Sequence, residues 1–325
     1  MKIQNKRVLV TGAAGFIGSN LVEDLLNNGN QVVGLDNLAT GYLHNLTNFL
    51  DNPNFIFVQG DIRDLTTCHK TCQNIDIVLH HAALGSVPRS VVDPITTNEV
   101  NIGGFLNMLV AARDAKVQRF VYASSSSVYG DEKELPKVEE KIGEPLSPYA
   151  VTKQVNEKYA HVFHLNYGLE VIGLRYFNVF GKNQSPAGEY AAVIPKFVDL
   201  LLKHKSPTIY GDGSFSRDFT YIDNVIQMNN LAATTENKAA IGEVFNVAFG
   251  ESTTLLQLME NIKENLNQFD AEIKEIEILF GPKREGDIPH SLASIKKAIH
   301  LLDYQPSCGI KEGLDKYLKW YWENN

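Results

Sequence analysis

Tyr149 and Lys153 are four residues apart in a stretch that reads Ser-Pro-Tyr-Ala-Val-Thr-Lys from position 147. Ser147 and Pro148 are typical of a helix start, because serine caps the first turn and proline has no N–H to leave unpaired. Residues four apart share one face of a helix, so the phenol and the ammonium are predicted to lie side by side. A neighbouring cation lowers a tyrosine pKa from its usual value of about 10, which would let Tyr149 take a proton from an alcohol. Taken alone, the two residues could equally form a surface pair without chemistry.

The length, charge and cysteine content of the chain limit the classes of protein to which it can belong. The 325 residues, 44% of them hydrophobic, suffice for a sizeable core and for about two domains. The net charge of −8 gives no support for a nucleic-acid partner, whose footprint is a basic patch. We find no apolar run near the ~18 residues of a membrane span and no signal peptide before the first strand, so a cytoplasmic protein is expected. The cysteines are few and odd in number, as in a reducing compartment, and predict no metal site: Cys68, Cys72 and Cys308.

A glycine-rich turn follows the first predicted strand. Residues 7–11 form a short β-rich run, and three glycines come directly after it: Gly12, Gly15 and Gly18. An apolar-periodic segment then predicts a helix, and the next strand ends in Asp36. This order indicates a dinucleotide site, in which the first two glycines admit the pyrophosphate to the helix N-terminus and the third allows close helix packing. Asp36 would accept hydrogen bonds from the adenosine ribose, which favours NAD over NADP.

The glycine spacing, G-x-x-G-x-x-G after a threonine, resembles the short-chain dehydrogenase/reductase superfamily, and the chain length resembles its extended branch. The resemblance implies a bound NAD and a fold of class α/β, with a doubly wound parallel Rossmann sheet and a smaller α/β substrate-binding domain. It also implies that further residues bind the cofactor, with Asp61 and Ile62 holding the adenine. These are Phe16, Ile17, Asn37, Thr40, Gly41, Asp61, Ile62, Ala82, Ala83, Leu84, Asn101, Tyr149, Lys153, Tyr176 and Val179.

Four serines, 124–127, follow the predicted strand 119–123 and precede Tyr149 by about 24 residues. They complete the superfamily's Ser/Tyr/Lys constellation, in which Ser125 matches the catalytic serine and Ser126 and Ser127 would face the sugar. The fourfold repeat leaves that assignment open by one residue. The similar nucleotide-sugar 4,6-dehydratases carry Asp-Glu at 126 and 127, and those acids drive the elimination of water. The serines therefore argue against a dehydratase.

The second half matches further motifs of the extended family. The stretch 174–181 resembles R-Y-F-N-x-x-G, and 208–222 resembles the segments that hold the uracil and a phosphate. Two arginines would form a diphosphate clamp, and Asp287 would accept from the nucleotide ribose. The resemblance implies that the substrate contacts are Gly85, Ser86, Ser125, Ser126, Ser127, Tyr149, Asn178, Ala192, Val193, Lys196, Tyr210, Arg217, Arg284, Asp287 and Ser291.

The resemblance is strongest to UDP-hexose 4-epimerases, and within them to the bacterial subgroup that acts on N-acetylated sugars. Ser291 matches the gatekeeper position, where a tyrosine narrows the pocket to glucose and galactose, although it could also be a helix cap. The loop 85–90 and the stretch 123–127 also resemble that subgroup. The resemblance implies reversible C4 epimerisation of UDP-N-acetylglucosamine to UDP-N-acetylgalactosamine through a 4-keto intermediate, for surface polysaccharide. UDP-glucose or UDP-glucuronate epimerisation is the nearer alternative, and a non-catalytic nucleotide-sensing protein the distant one.

Two domains are expected, an NAD-binding domain over 1–177 and a UDP-sugar-binding domain over 178–325, interleaved beyond residue 175. The family implies a homodimer through helices near 95–115 and 149–167. Five apolar residues on these helices are either its contacts or core, and the sequence does not decide between the two: Phe105, Met108, Leu109, Tyr159 and Phe163.

Overall fold

The computed structural model describes residues 1–186, 192–283 and 288–324. Strands and helices alternate through the first 176 residues. The strands are β1 (Arg7–Thr11), β2 (Gln31–Asp36), β3 (Phe55–Gln59), β4 (Ile77–His80), β5 (Arg119–Ser125) and β6 (Val171–Tyr176). The helices are α1 (Phe16–Asn27), α2 (Leu65–Cys72), α3 (Val87–Val92), α4 (Pro94–Asn98), α5 (Phe105–Asp114) and α6 (Pro148–Tyr167).

The second half has shorter strands between its helices. The strands are β7 (Val179–Phe180), β8 (Thr208–Tyr210), β9 (Ser216–Arg217), β10 (Thr220–Tyr221), β11 (Val244–Val247), β12 (Thr253–Thr254) and β13 (Leu279–Gly281). The helices are α7 (Val193–Leu202), α8 (Ile222–Thr234), α9 (Leu255–Leu266), α10 (Lys296–Leu302) and α11 (Ile310–Asn324).

One parallel sheet dominates the described part of the chain, with seven strands in the order β11-β6-β5-β4-β1-β2-β3. The strand order reverses between β1 and β4, and ligands of open α/β sheets bind at such a switch point, beside the carboxyl ends of the strands. At those ends Thr11 pairs with His80, and Ser125 pairs with Tyr176. The predicted doubly wound Rossmann sheet is confirmed, and β5 extends two residues beyond the predicted 119–123.

The helix that carries Tyr149 begins and ends as its sequence predicts. The Ser147 hydroxyl accepts a hydrogen bond from the Ala150 N–H at 3.1 Å, and proline follows it in the first turn. Gly168 ends α6 with a left-handed φ of 68°, a conformation that glycine adopts without a Cβ penalty. These caps fix which face of the helix meets the sheet.

The predicted helix near 95–115 is interrupted. A π-helical turn, Glu99–Gly104, joins α4 to α5. Within it, Asn101 exchanges two hydrogen bonds with the backbone of Leu84, at 2.8 and 3.1 Å. Such single π turns often occur beside functional sites, and this one places the Asn101 side-chain amide in contact with the loop after β4.

The smaller part of the molecule is built from paired short strands, β7 with β10, β9 with β12 and β8 with β13. The strand β11 lies well beyond residue 177, yet it pairs with β6 at the edge of the large sheet. The division of the chain at residue 177 remains a prediction. Within residues 1–186, 192–283 and 288–324, no helix combines the length and apolar character that crossing a membrane requires.

The predicted interface residues belong largely to the core. Phe105, Met108, Leu109 and Phe163 are at most 6% exposed and pack with the apolar residues of one face of the large sheet. Tyr159 is partly buried against the same cluster. Because a surface contact needs exposed area, these four buried residues hold α5 and α6 on their own sheet, and an interface through these helices would need other side chains.

Candidate active site

A groove of about 580 Å³ crosses the carboxyl ends of the strands at the switch between β1 and β4. We call it the cofactor groove. Most of the predicted cofactor residues line it: Gly12, Gly15, Phe16, Ile17, Gly18, Asp36, Asn37, Thr40, Ile62, Ala82, Ala83, Leu84, Tyr149, Lys153 and Tyr176. Gly85, predicted to contact substrate, lines the same groove, as do Arg63 and Arg89, which the sequence did not single out.

The glycine turn leaves no space for side chains. A Cβ at Gly18 would lie 2.0 Å from the Gly12 carbonyl oxygen, and one at Gly12 would lie 2.8 Å from the Ala82 nitrogen. Gly12 also has a φ of 70°. The turn therefore brings bare backbone to the groove at the N-terminus of α1, which fits the diphosphate of a dinucleotide. Gly41 packs against Ala14 behind this turn and does not line the groove.

Asp36 is held at the end of β2 by two backbone groups. Its carboxylate accepts hydrogen bonds from the Ala14 N–H at 2.9 Å and the Leu38 N–H at 2.8 Å. Burial raises the pKa of Asp36, and the two N–H donors lower it. The carboxylate lines the groove as an acceptor beside the glycine turn, which fits the ribose hydroxyls of NAD.

Besides Gly41, three predicted cofactor residues do not line the cofactor groove. Asp61 pairs with Arg63 at 2.8 Å and accepts from Asn37 at 2.9 Å, and the Arg63 hydrogen bond lowers the pKa of Asp61 to about 2. Asn101 is buried and holds Leu84, so it positions the groove wall without lining it. Val179 lines the second groove, described below.

The serine run divides at the end of β5. Neighbouring strand residues point to opposite faces, and the Ser124 hydroxyl donates to Glu157 at 2.5 Å, on the buried side. Ser124 and Ser125 both line the cofactor groove, and an interaction with the Ser125 side chain lowers the pKa of Tyr149. Ser126 and Ser127 lie in the 3₁₀ turn that follows, where the Ser127 hydroxyl donates to Ser125 at 3.0 Å. The geometry thus favours Ser125 as the partner of Tyr149.

The predicted effect of Lys153 on Tyr149 is wrong for the protein's own groups. Burial raises the pKa of Tyr149, and the hydrogen bond with Ser125 lowers it. The Lys153 Nζ lies 5.8 Å from the centre of the Tyr149 ring and donates to the Ala123 carbonyl at 2.8 Å. Burial lowers the pKa of Lys153 to about 8, and the charge of Glu157 raises it. The ammonium is therefore held by the strand end rather than by the phenol.

A second groove, of about 660 Å³, adjoins the first and shares Gln184 and Ala192 with it. We call it the substrate groove. The predicted substrate residues that line it are Ser86, Asn178, Ala192, Val193, Lys196, Tyr210 and Arg217. Ser126, Ser127 and Ser291 do not line it. Arg284 and Asp287 lie outside the described residues.

Short strands position the polar groups of the substrate groove. Arg217, at the end of β9, donates to the carbonyls of Ser216 at 2.9 Å and Pro289 at 3.1 Å. Ala192 caps α7, and Lys196 stands in its first turn, which supplies free N–H groups and a cation. Ser291 lies behind this wall, with its N–H donating to the Ser216 carbonyl at 3.0 Å. The groove thus offers the positive groups that a diphosphate needs.

Two positioning roles escaped the sequence analysis, one of them belonging to Thr11, the threonine that precedes the glycine turn. The buried Ser90 hydroxyl accepts from the Tyr149 N–H at 3.0 Å, and the Thr11 hydroxyl accepts from the N–H groups of His81 and Ala82. Both act on backbone groups from distant positions, so no local spacing signals them. Gln184 gives no motif either, although it stands at the junction of the two grooves.

The comparison with protein families agrees with this architecture. The model described as "NAD dependent epimerase/dehydratase family" matches residues 8–248. The chain belongs to this family. Family membership confirms the resemblance to the extended short-chain dehydrogenases and makes NAD the cofactor, and the cofactor groove described above fits that dinucleotide.

Individual members of the NAD-dependent epimerase/dehydratase family are similar over almost their whole length. A putative UDP-glucose 4-epimerase of Methanocaldococcus jannaschii is 38% identical, covering 98% of this chain and 99% of that protein. The structure of a UDP-N-acetylglucosamine 4-epimerase from Methanobrevibacter ruminantium, in complex with UDP-N-acetylmuramic acid, is 37% identical and has a TM-score of 0.92. The match covers 99% of this chain and 100% of that one. The structure of a UDP-glucuronic acid 4-epimerase from Bacillus cereus, in complex with UDP-glucuronic acid and NAD, is 34% identical and has a TM-score of 0.86. The match covers 98% of this chain and 100% of that one.

Proposed function

We propose that this protein is a nucleotide-sugar 4-epimerase that interconverts UDP-N-acetylglucosamine and UDP-N-acetylgalactosamine. The observation that carries the proposal is that Ser125, Tyr149 and Lys153 together line the cofactor groove, which meets the substrate groove at a junction formed by Gln184 and Ala192. A sugar bound across that junction would meet the acid/base pair and the cofactor together. Relatives with 4-epimerase names, similar over nearly the full chain, support this reading.

In this mechanism Tyr149 takes the proton of the sugar O4 and later returns it. Ser125 hydrogen-bonds the same oxygen and helps to share the proton. When bound in the cofactor groove beside Tyr149 and Lys153, NAD would supply reversible hydride acceptance at C4. Lys153 keeps a positive charge behind Tyr149, and Arg217 anchors the nucleotide while the 4-keto sugar turns. A positioned acid/base of this kind contributes about 10²–10⁴-fold to the rate.

Residues 126 and 127 favour an epimerase over a dehydratase. An elimination of water needs a general acid near the leaving hydroxyl. Ser126 and Ser127 occupy the turn where the dehydratases carry Asp-Glu, and the Ser127 hydroxyl is engaged with Ser125. A serine hydroxyl cannot replace a carboxylic acid, so the ketone is expected to be reduced again rather than dehydrated.

The N-acetyl specificity rests on small side chains. Ser291 does not itself line the groove. Its N–H donates to the carbonyl of Ser216, which adjoins the groove residue Arg217, and Ser86 lines the groove. A tyrosine at 291 would add a phenol at this wall, whereas serine leaves room for an acetamido group. The similarity to a UDP-N-acetylglucosamine 4-epimerase supports the same choice.

The test is an NMR time course with three substrates, UDP-N-acetylglucosamine, UDP-glucose and UDP-glucuronate. We expect the first to turn over fastest, and Ser291→Tyr to reduce its kcat/KM at least tenfold while sparing UDP-glucose. Ser291→Ala, which adds no bulk, is the control and should keep the wild-type preference. Faster turnover of UDP-glucose or UDP-glucuronate by the wild type would overturn the proposed substrate and keep the epimerase.

We also propose that two copies of the chain associate through α6. Val151, Val162 and Leu165 are 42%, 44% and 66% exposed. At 3.6 residues per turn they share one face of the helix, opposite the buried face that carries Lys153. Sedimentation should give a dimer mass for the wild type and a monomer mass for Val162→Glu/Leu165→Glu. A dimer that survives both charges would contradict this surface.

A further inference from the structure

Glu157 lies one helical turn beyond Lys153, as Lys153 lies one turn beyond Tyr149. Three residues at this spacing share a helix face, here the face that meets the ends of β5 and β6. The Glu157 side chain is 12% exposed and is held by three hydrogen bonds. Ser124 donates to it at 2.5 Å, and Arg175 donates from Nε and Nη2 at 2.9 and 2.8 Å.

The partners of Glu157 are next to the reacting residues in sequence. Ser124 stands between Ala123, whose carbonyl holds the Lys153 ammonium, and Ser125, which lines the cofactor groove together with Tyr149. Arg175 directly precedes Tyr176, which lines the cofactor groove. One carboxylate therefore ties the helix with the acid/base pair to both strand ends that face it.

We propose that Glu157 is a positioning residue that keeps Lys153 positively charged and in place for the reaction. The inference rests on the proposed function, since it concerns the same acid/base pair. The other ionisable groups around Lys153 are buried and neutral or are already paired. His80 and His81 at the end of β4 are kept neutral by burial, which lowers their pKa, and their proximity to Lys153 lowers it further. On β5 burial keeps the Tyr122 phenol neutral by raising its pKa, and on β6 Arg175 is paired with Glu157 itself.

The same two strands carry a second Arg–Glu pair that serves as a control. At their amino ends Arg119, the first residue of β5, pairs with Glu170 at 2.8 Å, just before β6. The length of β5, seven residues at about 3.3 Å each, separates this pair from the acid/base residues. It has the residue types of the Glu157–Arg175 pair, and the ammonium that it contacts is that of Lys238, 2.8 Å from Glu170, rather than that of Lys153.

The experiment compares the pH dependence of turnover for the wild type, Glu157→Gln and Glu170→Gln, each as the NAD-loaded protein. Loss of the carboxylate beside Lys153 should move the alkaline limb of kcat down by about one pH unit, a tenfold loss of activity on that limb. The KM of the nucleotide sugar should change less than twofold. Glu170→Gln should lose thermal stability and keep the wild-type profile.

A direct titration of Lys153 separates this inference from the proposed function. Only a neutral amine is acetylated, so trace labelling of Lys153 followed by peptide mass spectrometry gives its pKa without turnover. The midpoint should be lower in Glu157→Gln than in the wild type, and unchanged in Glu170→Gln. Should the single variant precipitate, Glu157→Asp draws the carboxylate back by one methylene and should lower the midpoint in the same direction by a smaller amount.

Coincident midpoints or coincident pH profiles for Glu157→Gln and the wild type would overturn the positioning role, leaving Glu157 a structural residue. A wild type that turns over no UDP-sugar would refute the proposed function instead. The labelling midpoints would then still decide whether Glu157 sustains the charge of Lys153.

Discussion

The cofactor groove and the substrate groove differ in what builds them. The first lies along the carboxyl ends of neighbouring strands, so the ladder of the large sheet fixes its backbone. The second is enclosed by two-residue and three-residue strands, the loop at Ser86 and the start of α7, which meet only through tertiary packing. The proposed function therefore assigns NAD to the most regular part of the molecule and the exchanging sugar to the least regular part.

The largest expected effect lies in the cofactor groove, at Tyr149. Tyr149→Phe removes the group that exchanges the O4 proton, so kcat should fall about 10²–10⁴-fold or more. NAD content and UDP affinity should stay within twofold of the wild type, because both grooves remain. Tyr159→Phe, on the same helix and in the apolar cluster, is the matched control. Ordinary activity of Tyr149→Phe, measured by NMR turnover, would contradict the assigned role.

Gly18→Ala should prevent NAD binding in the cofactor groove and leave the substrate groove unchanged. The added Cβ would lie 2.0 Å from the Gly12 carbonyl oxygen, a distance that forces the turn open. We expect the purified variant to lose its NAD, measured by absorbance after denaturation, and to keep UDP affinity by calorimetry. Gly103→Ala, whose Cβ meets no atom within 4 Å, should keep both. Full NAD content in Gly18→Ala would show that this turn does not hold the diphosphate.

Arg217→Lys should weaken the substrate side alone. Lysine keeps the charge and loses the planar fork that suits phosphate oxygens. A lost charge-assisted hydrogen bond costs about 1.5–3 kcal/mol, so the KM of the UDP-sugar should rise about tenfold to a hundredfold with NAD content unchanged. Arg63→Lys, in the cofactor groove, is the mirror control and should leave this KM within twofold. An unaltered KM in Arg217→Lys would remove that residue from the diphosphate clamp.

The smallest expected effect is on the free energy of unfolding at acidic pH, and it arises from His81 in the cofactor groove. Burial lowers the pKa of His81 to about 4, from an unfolded value near 6.5. Between those values the unfolded chain binds the proton and the folded chain does not, so His81 removes stability as pH falls from 6.5 to 4, by about 3 kcal/mol at most. Asp218 acts in the opposite direction, because burial raises its pKa to about 7.

Because the contributions of His81 and Asp218 oppose each other, the effect of His81 is measured by comparing the stability of variants at each pH. Urea unfolding of His81→Gln, with the exposed His161→Gln as control, should show a shallower loss of stability below pH 6.5 than the wild type. The Gln side chain can still accept the hydrogen bond that Tyr176 shares with His81 at 2.8 Å. Parallel pH curves for the wild type and His81→Gln would contradict a neutral, buried His81.

The two grooves also differ in how far the sequence predicts them. The strand β1 coincides with the predicted run 7–11 and β2 ends at Asp36 as predicted, because buried parallel strands show as short apolar segments between turns. Their ends place the glycine turn, Asp36 and the serine run at one edge, so most of the cofactor groove follows from the sequence. Ser124 and Ser125 are separated only by the pleat of β5, which a serine repeat does not reveal.

The substrate groove and the charges around the acid/base pair are less predictable. Glu157 meets Arg175 across an interface between a helix and a strand, and no local spacing encodes that contact. The pKa of Tyr149 was predicted from charge alone, while burial decides its direction in the structure. The sequence did not decide whether residues such as Phe105 and Leu109 belong to the core or to an interface. Apolar periodicity identifies the buried face of a helix, but it does not show whether the same chain or a partner covers that face.

The most direct test of the account is the epimerisation of UDP-N-acetylglucosamine in D₂O, followed by proton NMR. A hydride that leaves C4 and returns from bound NAD never exchanges with solvent, so UDP-N-acetylgalactosamine should appear with a full H4 signal. Loss of that signal through deuterium at C4 would show a proton-transfer mechanism at carbon. Absence of any C4 epimer from this or the other UDP-sugars would contradict the epimerase itself.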